Sequence, residues 1–241
     1  MRFEVCAYSV ADCEAAQRAG ANRIELCGGQ NEGGITPSIG LIQQSRLATT
    51  LPIRVMIRPR GGDFAYDKSE LAVMEADISA ARAAGADGVV LGVLLTDGRV
   101  DEKTTRRLID LARPLPVTFH RAFDLTRDPH EALDVLIALG IQTVLTSGQQ
   151  ARAVAGIELL KALVTQAADR IEIMAGSGVD ANNARLLAET GVSYLHMSGG
   201  TVENSPMTFR REGVPMATVT PGEYDRINTS EAAVRRVIEV G

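Results

Sequence analysis

Gly20-Ala21-Asn22-Arg23-Ile24-Glu25-Leu26-Cys27 carries the joint on which the chain is built. An Ala-rich helical stretch stops at Gly20, where a left-handed cap costs glycine little. A strand follows, with Ile24 and Leu26 on one face and Glu25 and Cys27 on the other. The joint returns along the chain. Gly85-Ala86-Asp87 precedes Gly88-Val89-Val90-Leu91, Gly140 precedes Ile141 to Leu145, and Gly191 precedes Val192 to Leu195. Helix starts carry the complementary signal. Thr36-Pro37-Ser38 and Asp128-Pro129-His130-Glu131 each offer an N-cap with proline or an acid in the first turn.

Outward from these joints, strands are expected near residues 2–6, 22–27, 53–58, 87–92, 116–120, 142–146, 170–174 and 193–197. Helices are expected near 9–19, 38–48, 68–84, 101–112, 128–139, 150–168, 180–190 and 229–240. Strand–helix alternation implies a parallel sheet. Eight such units in 241 residues fit one closed (β/α)8 TIM barrel, for which about 250 residues is typical. The expectation is a single domain over 1–241. An open doubly wound sheet would need a topological switch point and usually fewer units. Residues 199–229 show no clear periodicity and are expected to form a long irregular segment, of a length often functional or mobile.

Composition limits the partners. A formal charge of −5 provides no basic face, so neither nucleic acid nor an anionic membrane is an expected partner. No apolar run approaches the roughly 18 residues that span a bilayer, and Met1-Arg2-Phe3-Glu4-Val5-Cys6 lacks a signal peptide's apolar stretch. The cytoplasm is the expected location. Cys6, Cys13 and Cys27 are odd in number and clustered, which is no disulfide framework; they are expected to stay reduced.

Alternation along each strand predicts which side chains fill the barrel. With Phe3, Val5, Ile24, Leu26, Val55, Ile57, Val117, Phe119, Ile171, Ile173, Leu195 and Met197 facing the helices, Glu4, Cys6, Glu25, Cys27, Arg54, Met56, Arg58, Thr118, His120, Glu172, Met174, Tyr194, His196 and Ser198 face inward. Branched aliphatics usually fill such lumens. Here Glu4, Glu25, Glu172, Arg54, Arg58, His120 and His196 are expected to share one enclosed space. Buried charges cost several kcal/mol each unless paired, so they must pair with one another or with a ligand. A purely structural ion-pair network is the plainer outcome. Clustered ionisable groups in a cleft otherwise mark a working site, with Glu25, His120, Glu172 and His196 as its acid/base candidates.

The loops after the strands supply candidate binding groups. Thr146-Ser147-Gly148, Gly176-Ser177-Gly178 and Ser198-Gly199-Gly200 follow strands six, seven and eight. Loops after strands seven and eight commonly hold phosphate, so Ser147, Gly148, Gly176, Gly178 and Ser198 are candidate anion contacts. Glycine is also the default turn residue. His120-Arg121-Ala122-Phe123-Asp124 closes strand five and adds Asp124 to the candidates. Arg58-Pro59-Arg60-Gly61-Gly62-Asp63-Phe64 after strand three offers Arg58 and Arg60 to an anionic substrate, or forms a salt-bridged turn. Cys6 and Cys27 end adjacent strands on one face. Neighbouring strands lie ~4.8 Å apart, so two thiolates could share one soft ion such as Cu(I), with Met56 or a histidine as third donor. Two inert buried cysteines are the alternative.

These motifs resemble the CutC family, named for copper homeostasis. The likeness runs over about residues 4–198 and rests on Glu4-Val5-Cys6, Gly20 to Cys27, Glu32-Gly33-Gly34-Ile35-Thr36-Pro37-Ser38, Met56 to Phe64, Thr118 to Asp124, Leu145-Thr146-Ser147-Gly148 and Gly176-Ser177-Gly178. Asn22 stands where that family usually has Asp. The resemblance implies a TIM barrel, a cytoplasmic homodimer and a role in copper handling, with Cys6 and Cys27 matching cysteines proposed to bind Cu(I). Two function classes follow: a copper-binding homeostasis protein, and an enzyme of undetermined reaction working by acid/base chemistry on a small anionic or phosphorylated metabolite. A scaffold with a decayed site is a weaker third, because unused buried charge only destabilises.

Overall fold

The computed structural model describes residues 1–211, 213–214 and 222–241. Eight parallel strands close into a ring in chain order: β1 (Arg2–Ala7), β2 (Arg23–Leu26), β3 (Ile53–Met56), β4 (Gly88–Leu91), β5 (Val117–Phe119), β6 (Thr143–Thr146), β7 (Glu172–Ala175) and β8 (Tyr194–Met197). β1 pairs with β2 on one side and with β8 on the other, which seals the barrel. The helices are α1 (Val10–Ala19), α2 (Ile39–Ala48), α3 (Lys68–Ala83), α4 (Glu102–Ala112), α5 (Pro129–Leu139), α6 (Ile157–Ala167), α7 (Ala184–Ala188) and α8 (Glu231–Val240). The expected TIM barrel is the fold.

Local chemistry sets the joints. The Ser9 side chain caps α1 at Asp12 N, and Gly20 ends it at φ 92° with its N–H on the carbonyls of Ala16 and Gln17. Asp128 caps α5 ahead of Pro129, and Gly140 ends it. Two helices are shorter than their sequence suggests. A 3₁₀ turn over Ala153–Gly156 precedes α6, because Gly148 and Gly156 pack backbone to backbone with no room for a Cβ on either. Before α7, Asn183 Oδ1 accepts from Asp180 N–H and Asp180 Oδ1 accepts from Asn182 N–H, in a turn of their own.

The segment 199–229 departs from expectation. It holds an antiparallel pair, β9 (Gly200–Asn204) and β10 (Asp225–Thr229), with Gly200 opposite Thr229. β9 is exposed along its length, so no apolar alternation marks it in the sequence. Residues 212 and 215–221 of that segment lie outside the described residues.

Phe3, Val5, Ile24, Leu26, Val55, Ile57, Phe119 and Ile173 face the helices and are almost wholly buried. Each large aliphatic or aromatic side chain there contributes roughly 1.5–3 kcal/mol. The lumen divides into two levels, which corrects the expectation of one shared space. At the N-terminal ends of the strands, Arg54 Nη1 donates to Pro116 O at 2.8 Å and Nη2 to Gln142 Oε1 at 2.7 Å. Glu172 sits at the same end. It accepts from Arg2 at 2.7 Å and from the Thr143 hydroxyl at 2.8 Å. Both long side chains turn away from the mouth to reach these partners, so neither belongs to the upper site.

Gly88 makes room for Arg54. A Cβ there would stand 2.2 Å from Arg54 Nη1 and 2.4 Å from its Cδ. Gly88→Ala is expected to lower stability by about 1–3 kcal/mol, the usual cost of overpacking, read as a shifted urea midpoint at unchanged slope. An unshifted midpoint would show that Arg54 has another place to lie.

Candidate functional site

The upper lumen is organised around Glu4, whose side chain is fully buried. Arg23 Nε from β2 donates to Glu4 Oε2, and His196 Nδ1 from β8 donates to Oε1 at 2.9 Å. Burial would raise the Glu4 pKa, but the Arg23 charge and the His196 bond outweigh it and hold the carboxyl below its ordinary range. The Arg23 guanidinium also lies over the Tyr194 ring at 4.1 Å.

His196 passes this order upward. Its Nε2 stands 3.6 Å from Glu25 Oε2. Burial would lower the His196 pKa, but Glu25, Cys6 and Glu4 together push it well above the usual value. Glu25 is itself driven well above the carboxylate range, by burial more than by its charged neighbours. Cys27 Sγ lies 3.7 Å from Glu25 Oε2, and Cys6 Sγ lies 3.8 Å from Cys27 Sγ. The bond from Cys27, helped by His196, holds the Cys6 thiol well below its ordinary range. The Cys27 thiol, hydrogen-bonded with Cys6 and fully buried, is pushed well up. Cys6, Glu25 and His196 present one ligand atom each within 4.8 Å of one another, and Met56 packs against both cysteines.

Two loops seal this cluster. Gly34, at φ 92°, brings its backbone so close that a Cβ would sit 3.2 Å from Cys27 Sγ; the Gly33-Gly34 pair is therefore a cover over the thiol. Arg58 holds that cover down. Its Nη1 donates to the carbonyls of Glu32 and Gly34, each at 3.0 Å, and its Nη2 to Gly62 O at 2.8 Å. Its guanidinium stacks on Phe64 at 4.7 Å.

His120 ends β5 on the opposite wall. Its Nδ1 accepts from Ala122 N–H at 3.2 Å, which places the ring proton on Nε2. Burial, then the Arg58 charge, pushes its pKa down to about 3, so the ring is neutral. Cys6, Tyr8, Glu25, Glu32, Gly33, Met56, Arg58, Phe64, His120, Arg121, Leu145 and His196 line one cavity of about 280 Å³ at the barrel mouth. A larger recess of about 520 Å³ on the outer face, bordered by Asp101, Arg127 and Glu131, is a solvated groove with its own Arg127–Glu131 ion pair.

Several candidate residues lie elsewhere. Glu172, expected among the acid/base groups, is at the far end of the barrel. Asp124 accepts from Thr146 Oγ1, Ser147 N, Gln149 N and Arg121 Nε, all within 3.1 Å. Ser147 Oγ also reaches Gln150 O, and Gly148 N donates to Thr146 Oγ1. These groups knit the β6 loop to the segment that follows β5. Arg60 is tied to Glu70 and Asp63, the salt-bridged turn. Gly176 lets β7 pass close to His196, and Gly178 O accepts from Arg152 and Asn183. Ser198 O accepts from the Thr229 hydroxyl beside the β9–β10 pair. None of Arg60, Asp124, Ser147, Gly148, Gly176, Gly178 and Ser198 lines the cavity. Arg23, Tyr8 and Phe64 are the partners that sequence reading passed over. Carrying the alternation one step further, from Glu25 back to Arg23 and from Cys6 on to Tyr8, finds the first two.

Removing Arg23 leaves the Glu4 charge without its guanidinium. Arg23→Met is expected to cost about 3–5 kcal/mol, and adding Glu4→Leu should recover part of it, measured by urea unfolding. Equal losses in the single and double variants would show the pair to be uncoupled. His120 adds a pH dependence. A histidine near 6.5 when unfolded and about 3 when folded contributes stability that is whole above pH 6.5. That stability falls as pH drops from 6.5 toward 3, by up to ~1.4 kcal/mol per pH unit. His120→Asn keeps an acceptor for Ala122 N–H and should flatten this acid limb between pH 7 and 5.

Comparison with known proteins adds a family. The CutC family model matches residues 1–201. A CutC family protein of Bacteroides thetaiotaomicron is 49% identical over 241 residues, covering 99% of this chain and 97% of its own. The human copper homeostasis protein cutC homolog is 46% identical over 235 residues, covering 97% and 86%. The crystal structure of CutC from Streptococcus agalactiae superposes with a TM-score of 0.79 at 37% identity, over 82% of this chain and 98% of that one.

Proposed function

The chain belongs to the CutC family, and on that premise we propose that it serves copper homeostasis by binding Cu(I) through Cys6 and Cys27. The observation that carries this reading is the cysteine pair itself. Two sulfurs 3.8 Å apart are within the span that two metal–sulfur bonds of about 2.3 Å bridge. The donor set suits the ion. Thiolates and a thioether select Cu(I), and imidazole is an acceptable further ligand; Met56 shares a buried cluster with the pair, and His196 stands within ligand reach of Cys6. Cys6 is already disposed to the thiolate state, whereas Cys27 must lose its proton to the incoming metal.

The surroundings support the same reading. The Gly33-Gly34 cover shields Cys27, which is fully buried, while Cys6 borders the mouth cavity from which an ion would arrive. A cytoplasmic location accords with three thiols, none in a disulfide. Among the described residues, no helix is long and apolar enough to cross a membrane.

Anaerobic Cu(I) titration against a chromophoric competitor is expected to give one ion per chain. Cys6→Ser and Cys27→Ser should each weaken binding by more than the ~10–100-fold that follows loss of an outer-shell partner. His196→Gln, which removes the further ligand and keeps both sulfurs, should weaken binding less than either serine variant. Calorimetry in two buffers of different ionisation enthalpy should register proton release on binding. Unchanged affinity in both serine variants would sink the proposal.

A further inference from the structure

We propose that the barrel mouth binds a small organic carboxylate beside the cysteine pair, at a site made by His120, Arg58 and Phe64. The inference does not depend on the copper reading. It starts from polar atoms that lack partners. Among the described residues, His120 Nε2, Arg58 Nε and Glu25 Oε1 are buried and without a hydrogen bond, and all three residues line the same cavity of about 280 Å³. Buried polar groups are nearly always satisfied; Ser45, Arg54, Tyr66, Thr105 and Thr118 also hold an unpartnered side-chain atom, but only His120, Arg58 and Glu25 converge on one cavity, where a single ligand could meet all three.

The chemistry of these atoms selects the ligand. His120 Nδ1 is occupied by Ala122 N–H, so its Nε2 is a donor. Arg58 spends both Nη atoms on loop carbonyls and keeps Nε–H free and its charge in place. Neither group can coordinate a metal, since one is a guanidinium and the other presents N–H. Copper held by the cysteines would leave both unmet. Two N–H donors beside a fixed positive charge ask for an anionic oxygen acceptor. Phe64, stacked on Arg58 and 4.8 Å from the His120 ring, together with Leu145 and Met56 gives the cavity an apolar wall for a short carbon body. Glu25 Oε1 stands as the third polar position, suited to a carbonyl-hydrate or hydroxyl group of the ligand. A phosphate would call for a glycine cradle or a helix N-terminus; Gly148, Gly176 and Gly178 lie outside the cavity, and Gly33, which borders it, spends its carbonyl on Arg58.

The test uses copper-free full-length protein carrying ¹⁵N-labelled histidine, titrated separately with pyruvate, L-malate and inorganic phosphate. The expected result is a saturable shift of the His120 ring nitrogens with pyruvate or malate, at least about tenfold tighter than with phosphate, ~1.4 kcal/mol. His120→Asn retains the contact to Ala122 N–H and removes the ring donor. It should weaken carboxylate binding, followed by calorimetry, at least about tenfold and leave Cu(I) affinity unchanged. Phe64→Leu, which touches no hydrogen bond, should weaken carboxylate binding as well, and covers the case in which His120→Asn does not fold. The proposal is overturned if neither carboxylate gives a saturable response, if phosphate binds as tightly, or if folded variants bind like the parent. Cu(I) titration of the same samples separates failure here from failure of the copper reading.

Discussion

A carboxylate buried in the middle of the barrel governs the arrangement above it. Glu4 cannot stay ionised there without partners, because taking a charge out of water costs several kcal/mol. Its partners come from the two strands that flank β1: Arg23 on β2 and His196 on β8. The β1–β8 ladder is also the seam that closes the ring. Closure and charge pairing are therefore one requirement. Only the closed barrel brings Glu4 next to His196, and the pairing in turn favours the closed barrel.

From that point the order propagates upward by contact. Glu4 fixes the His196 ring through Nδ1, which turns Nε2 toward Glu25. Glu25 meets Cys27, and Cys27 meets Cys6. Each group changes the proton affinity of the next, as expected when ionisable side chains are packed without water between them. The two sulfurs are thus the end of a chain of hydrogen bonds and one 3.6 Å ion-pair contact anchored at the centre of the fold. Their environment is set by residues up to 192 positions apart in sequence.

The mouth shows how loops are held when their own chemistry is spent on structure. Arg58 and Asp124 perform matching tasks on opposite sides. One is a guanidinium gathering carbonyls of the β2 and β3 loops; the other is a carboxylate gathering N–H and O–H groups of the β6 loop. The glycines that follow the strands serve close approach: Gly34 on Cys27, Gly148 on Gly156, Gly176 on His196. In sequence such glycines read equally as a phosphate cradle or as packing joints. The difference lies in what stands opposite, which is contributed by another unit of the barrel.

Sequence alone determined the number of units, the joints between them and the face each strand turns inward. All three are properties of neighbours: a left-handed cap after a helix, an N-cap before one, and the two-residue period of a strand. That was enough to place Cys6, Glu25, Cys27, Met56, Arg58, His120 and His196 in the lumen. It could not assign height along the barrel axis. Arg54 and Glu172 obey the same alternation, yet their side chains run to the N-terminal end, where Gln142 and Arg2 wait. Nor could it show that Arg60, Asp124 and Ser147 would exhaust their bonds on neighbouring loops. The β9–β10 pair escaped because an exposed ribbon needs no apolar period. Periodicity along a chain fixes the direction of a side chain. Which partner it reaches depends on strand register and barrel closure, and these exist only once all eight units are assembled.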